Sequence, residues 1–243
     1  MPDATVKVEN ARFIVTMDAS RRIISDGSLV VQGQNIIQVG KTEDLAGVQT
    51  DSVIDASDMV VTPGFVNGHM HISYAHATRG IFPDDLGSAY LPNVFKLQAI
   101  MTEEEEYHTS LLAITELLKY GTTTFVDPGS TKYLDRCMGA YKQAGCRIIV
   151  GTHVTDKTNQ LNLPVSSTAD ALQTIETTIE KFDRKLDGRI RAWAMPFAPN
   201  VCTDELLLGS KRLADRYNTG LTLHYNNGPN YVEASIKESG LRP

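Results

Sequence analysis

Short β-rich runs bounded by turn residues fill the first sixty positions. Val6 to Val15 is one run. Ile23-Ile24 precedes an Asp26-Gly27 turn, and Ser28 to Val31 leads through Gly33-Gln34-Asn35 into Ile36 to Val39, a hairpin signal. Val53 to Ala56 and Met59 to Val61 predict further short strands. Residues 1–61 thus read as a small all-β unit, too small to close a good core alone. From residue 62 the period changes. Thr102 and Glu105 form a capping box ahead of Tyr107, Leu111, Ile114, Leu117 and Leu118 at helical spacing, and Gly121 stops the run. Strands at Thr122–Val126, Arg147–Gly151, Arg189–Met195 and Leu221–His224 alternate with helices near 133–144, 171–182, 203–217 and 231–239. With a first strand at Phe65–Ile72, residues 62–243 give five strand–helix units, which implies a parallel sheet with helices outside it. A doubly wound sheet and a closed barrel both satisfy this pattern.

Composition narrows the class. The chain has 243 residues, 42% of them apolar and 21% charged, as in ordinary globular proteins. Lys and Arg total 23 against 29 Asp and Glu, a net charge of −6, which argues against nucleic-acid binding. No apolar run reaches the roughly 18 to 20 residues of a membrane span, and Met1 to Lys7 has no basic stretch followed by an apolar one, so secretion is not expected. Three cysteines (137, 146 and 202) without Cys-x-x-Cys spacing read as reduced thiols, so the expected location is cytoplasmic.

The histidines carry the chemistry. His69 and His71 are two apart at the end of the first strand of residues 62–243, so their side chains share a face. His224 ends the fifth strand, where Leu221 and Leu223 alternate with Thr222 and His224. A His-x-His pair alone is more often a surface or packing feature, and a single His224 more often a bonded core residue. If the sheet curls into a barrel, the three imidazoles converge on one cation with positions left open for water. His153, ending the third strand with inward parity, and Tyr74, in the long Ile72–Ile100 segment, are candidate substrate contacts. His76 is a weaker one. His108, on the first long helix, reads as surface, and Asp127 as structural.

Pro63-Gly64-Phe65-Val66-Asn67-Gly68-His69-Met70-His71 resembles the signature of the amidohydrolase superfamily, above all its cytosine deaminase, S-adenosylhomocysteine deaminase and triazine chlorohydrolase branch. Thr78-Arg79-Gly80, Gly121 to Asp127 and Ala198-Pro199 with Cys202 to Leu207 resemble further stretches of that branch. The resemblance implies an α/β fold: a partial TIM-type (β/α)8 barrel, about five of eight units, beside the N-terminal part of a small β-sandwich. It implies His69, His71 and His224 as ligands of one divalent metal ion, zinc first and iron second, activating water against a C–N or C–halide bond of a heterocyclic or amide-like small molecule. It also makes Arg79 a candidate substrate contact. No Lys lies between Arg189 and Leu208, which favours one metal over a carbamate-bridged pair. The branch places a Glu three residues after the fifth-strand His, and Asn227 stands there in this chain. An amide hydrogen-bonds but does not donate a proton as an acid does. The expectation is the N-terminal portion of a longer hydrolase, poorly soluble by itself, with a catalytically inactive scaffold or truncated pseudoenzyme as the alternative. A small-molecule substrate is expected, with no nucleic acid and no membrane as partners, and a homo-oligomer of the full-length form is allowed.

Overall fold

The computed structural model describes residues 4–226 and 228–242. The chain divides into two compact units, Met1–Gly64 and Phe65–Pro243.

The first unit is built on β1 (Thr5–Val15), β2 (Ile23–Gln32), β3 (Asn35–Lys41), β4 (Ser52–Asp55) and β5 (Val60–Val61). The sheet order is β3-β2-β1-β4, with β5 also on β1; β1–β2 and β2–β3 are antiparallel and β4 and β5 run parallel to β1. Asp26-Gly27 does not turn the chain. It lies inside β2, where Asp26 takes a φ of 50° and Gly27 pairs with both Ala11 and Lys41. A Cβ on Gly27 would stand 2.9 Å from Ile14, so a glycine signal read as a turn is a close packing point between strands. The buried core here is small: Ala11, Ile14, Leu29 and Ala56.

The second unit carries a parallel sheet, β6 (Phe65–Asn67), β7 (Thr122–Val126), β8 (Arg147–Val150) and β9 (Ile190–Ala192), in sequential order. Leu221 extends it by a parallel bridge to Ala194. The helices are α1 (Ala75–Thr78), α2 (Tyr90–Ile100), α3 (Glu103–Lys119), α4 (Leu134–Ala144), α5 (Thr168–Phe182), α6 (Asp204–Arg216) and α7 (Pro229–Ser239). The Thr102–Glu105 capping box opens α3, while Ser167 and Thr203 cap α5 and α6. Their apolar stripes, including Ile114, Ile175, Ile179 and Leu206, are buried against the sheet.

The Ile72–Ile100 segment is not one long loop, since it contains α1 and α2. Pro92 sits in the first turn of α2, where its missing N–H costs no helical bond, and Val94, Phe95 and Gln98 are buried.

Curvature separates the two candidate architectures. Four flat strand spacings of about 4.8 Å would put the first and fifth strands about 19 Å apart. Yet His71, following β6, and His224, following the Leu221 bridge, meet at 3.2 Å. The sheet therefore curls, as part of a barrel and not as a doubly wound sheet. On β6, Phe65 and Val66 are 60% and 70% exposed.

Candidate metal centre

Regular strand geometry stops short of the histidines. β6 ends at Asn67, and beyond Leu221 no strand is assigned through His224. Individual backbone bonds carry the pairing onward: Met70 N–H donates to Val126 O (2.8 Å) and His224 N–H to Phe197 O (2.8 Å). The Asn67 side chain accepts from His69 N–H (3.0 Å) and fixes the turn into the motif.

The three rings then converge. His71 Nε2 stands 3.2 Å from His69 Nε2 and 3.2 Å from His224 Nε2, and the possible ligand atoms all lie within 4.8 Å of one another. The His71 and His224 rings are parallel (2°, centroids 5.2 Å apart), while His69 meets both edge-on. Ligand nitrogens in a tetrahedral zinc site with bonds of 2.0–2.1 Å stand about 3.3 Å apart. A hydrogen-bonded arrangement suits the cluster less well. One Nε2 on His71 faces two others and has at most one proton to give, while His71 Nδ1 is buried with no partner. A single cation would satisfy all three lone pairs.

Electrostatics favours the ligand state. Burial, with the neighbouring His224 and His69 next, pushes His71 down to about 3. Burial also lowers His69 and His224. The imidazoles are therefore neutral at pH 7, as metal ligands must be. Among the described residues no carboxylate joins this cluster.

Aromatic side chains pack on the candidate ligand rings. Tyr74 is buried and stacks on His71 (5.0 Å, 22°); burial raises its hydroxyl pKa, so the phenol stays protonated. Phe197 stacks on the other flank, against His224 (4.7 Å, 26°). The sequence reading assigns Phe197 no role. Its place just past β9, at the strand ends where barrel sites gather, was the available signal. His153 meets Phe197 edge-on at 5.4 Å and Phe95 at 6.3 Å, and burial pushes it down to about 4. The loop behind it is pinned by Asp127, which is fully buried and accepts from Ser130 N–H (3.1 Å), the Ser130 hydroxyl and the Thr131 hydroxyl. Gln98 on α2 and Ser73 both donate to Ser130 O.

Other sequence candidates lie apart from the triad's contacts. Arg79, expected to meet substrate, gives its guanidinium to Glu116 on α3 (2.9 and 3.3 Å), and its side chain is 60% exposed. A motif position at the end of α1 faces the outer helix and finds its charge partner there. His76 bonds the same carboxylate at 2.8 Å, and Arg79 and His76 together hold Glu116 near a pKa of about 2. His108 is exposed beside Glu104. Asn227 lies outside the described residues.

Residues 60–242 match the Amidohydrolase family. The chain is 30% identical over its whole length to the 5'-deoxyadenosine deaminase of Methanobrevibacter smithii, covering 53% of that protein. It is 24% identical to the 5-methylthioadenosine/S-adenosylhomocysteine deaminase of Thermoanaerobacter pseudethanolicus, covering 95% of this chain and 51% of that one. The chain thus spans about half the length of the relatives it matches. Among solved structures it resembles the atrazine chlorohydrolase of Arthrobacter aurescens complexed with zinc (TM-score 0.83, 21% identity, 98% of this chain and 56% of that one). It also resembles an adenosine deaminase from Xanthomonas campestris with bound zinc (TM-score 0.80, 24% identity, 98% and 53%).

Proposed function

The chain belongs to the amidohydrolase family, and from that premise we propose that it forms the zinc-binding portion of a hydrolase cleaving an exocyclic C–N bond, or a C–halide bond, of a nitrogen heterocycle. The observation that carries this reading is the convergence of His69, His71 and His224 through three nitrogens from two ends of the curled sheet. These three residues would hold one divalent cation, zinc in preference to iron. When bound, the cation supplies Lewis-acid activation of a water nucleophile near neutral pH.

The protein's own share is positioning. Tyr74 and Phe197 clamp His71 and His224 on their outer faces, which fixes the ring planes and leaves the nitrogens directed at one point. Phe95, Phe197 and His153 build an apolar flank beside the cluster, which excludes water from one side of a bound heterocycle. His153 would contact that substrate. Asn227 follows His224 by three residues and would supply a hydrogen bond to the ring, without the proton a carboxylic acid would give. Relatives named for 5'-deoxyadenosine and for 5-methylthioadenosine/S-adenosylhomocysteine make an adenine nucleoside the first substrate to try.

The absence of a carboxylate from the cluster, among the described residues, favours a second reading: a chain that binds metal without turning substrate over. Zinc titration of the chain, followed by assay for ammonia release from 5'-deoxyadenosine, separates the two. We expect about one zinc per chain, lost in the His69→Ala, His71→Ala double variant. Zinc with no ammonia supports the second reading, and a wild-type chain that takes no zinc overturns both.

A further inference from the structure

A histidine that binds a metal is normally oriented by a hydrogen bond from its second ring nitrogen. His71 stands at the middle of the triad, yet its Nδ1 is buried with no partner among the described residues. Its backbone sets the ring only loosely, because residues 68–74, between the end of β6 and the start of α1, form neither strand nor helix. Ile72 in this stretch is fully buried, but apolar burial is non-directional and does not fix the rotation of a neighbouring ring. We infer that Ser73 is a positioning residue: its hydroxyl, bonded to Ser130 O, holds the Tyr74 ring against His71 and so aims His71 Nε2 at the point the triad shares. The assignment rests on the reading of the triad as a zinc site.

Three observations support it. Two tethers bracket His71: Met70 N–H donates to Val126 O (2.8 Å) on one side, and the Ser73 hydroxyl donates to Ser130 O (3.1 Å) on the other. Both acceptors belong to β7 and the loop that follows it. That loop is itself fixed. The Asp127 carboxylate accepts from Ser130 N–H (3.1 Å) and from the Thr131 hydroxyl (2.5 Å), and Gln98 gives Ser130 O a second donor from α2. Asp127 N–H donates to Ile149 O (2.9 Å) and His153 N–H to Gly129 O (3.3 Å), so the loop is also tied to β8 and the segment beyond it. Gly129 has a φ of 88°, and a Cβ there would stand 2.6 Å from His153 N, so no other residue fits this approach. Lastly, Ser73 directly precedes Tyr74, the ring stacked on His71 at 5.0 Å and 22°. A loop held on two sides thus anchors the one ring that packs flat on this face of the middle ligand.

Two readouts test the assignment, one with metal and one without. The first is the zinc Kd, measured by competition with a chelating indicator. The second is NMR of the metal-free chain with isotope-labelled histidine rings, in which the His71 ring protons carry the ring current of Tyr74; the His71→Asn spectrum identifies them. Ser73→Ala removes the donor and leaves Ser130 O bonded to Gln98, so no buried acceptor is stranded. It is expected to weaken zinc about tenfold, the low end for groups that orient a ligand, and to move the His71 protons toward their free-imidazole positions. Ser73→Cys is larger and keeps a weak donor, so it is expected to fall between Ser73→Ala and wild type, and it carries both readouts if Ser73→Ala does not fold. Thr102→Ala, which removes one side-chain hydrogen bond at the start of α3, should change neither readout. His71 protons that stay in place in Ser73→Ala, an unchanged Kd in a chain that binds zinc, an equal response from Thr102→Ala, or Ser73→Cys faring worse than Ser73→Ala would overturn the proposal. His71 protons that respond to Ser73→Ala in a chain that takes no zinc leave Ser73 as the residue that positions this ring and remove the metal reading instead.

Discussion

At the scale of single residues, the buried acid Asp127 and the Tyr74 ring stacked on His71 are the informative positions. Burial raises Asp127 to about 6, opposed by hydrogen bonds from Ser130 and Thr131. An unfolded Asp titrates near 3.9. Between those pH values the folded chain holds a proton that the unfolded chain has released, so this group favours folding most below about pH 4 and progressively less up to about pH 6. Asp127→Asn has no such titration. Urea unfolding of both proteins across pH 4 to 7 should show wild type losing up to about 3 kcal/mol relative to the variant over that window, then holding a constant difference. A difference independent of pH would mean that Asp127 is ionised throughout. Tyr74→Leu removes the aromatic face behind His71 and should weaken zinc binding about tenfold by calorimetric titration, whereas Tyr74→Phe should match wild type. The three candidate ligands could be brought together from sequence because strand ends and residue parity point at one place. Arg79 was misdirected and Phe197 overlooked for a common reason. Which side of a strand end a neighbour occupies depends on the curl of the sheet, and local spacing does not encode it.

At the scale of elements, α3 ties the outer layer to the site. Glu106 is fully buried, and its carboxylate accepts from the backbone N–H of Lys132 (2.9 Å) and Tyr133 (2.5 Å), in the segment that leads into α4. Glu106→Ala would strand two N–H donors and is expected to cost about 2–4 kcal/mol in denaturant unfolding, with Glu106→Gln costing less because one acceptor oxygen remains. Thr102→Ala, which removes the cap of the same helix, should cost only about 1 kcal/mol. Equal losses for Thr102→Ala and Glu106→Ala would show that Glu106 does no more than support its own helix. Helices α3, α5 and α6 were readable because their side-chain caps and apolar spacing agree, and α4 because Gly145 ends it in the left-handed region. Helix α2 was not, since the sequence reading treated residues 72–100 as one connecting segment, and the burial of Val94, Phe95 and Gln98 comes from tertiary packing. The short strands were readable as elements but not in their limits. Backbone bonds to His224 and Met70 continue the sheet beyond its regular part, and only tertiary pairing creates them.

At the scale of the whole molecule, the candidate ligands sit in one unit and come from far apart in sequence. His71 and His224 are separated by 153 positions, and all three ligands fall within Phe65–Pro243, none within Met1–Gly64. A cation held by both ends of that span closes a long loop in the folded state, which an unfolded chain can match only at a large entropic cost. Binding to the folded form alone stabilises it by RT ln(1 + [L]/Kd), about 2.7 kcal/mol at a hundredfold excess over Kd. Hydrogen exchange followed by mass spectrometry, with and without zinc, should therefore show added protection in β6 to β9 and in the 194–224 stretch, where the parallel pairing converges on the ligands. The strands of the first unit should exchange at the same rate in both conditions. The His69→Ala, His71→Ala double variant should lose the zinc-dependent protection while keeping the zinc-free pattern. Protection appearing only around residues 69–71, with none near 224, would mean that the fifth-strand histidine does not share the cation, and the convergence seen at 3.2 Å would then be a hydrogen-bonded cluster and not a metal site.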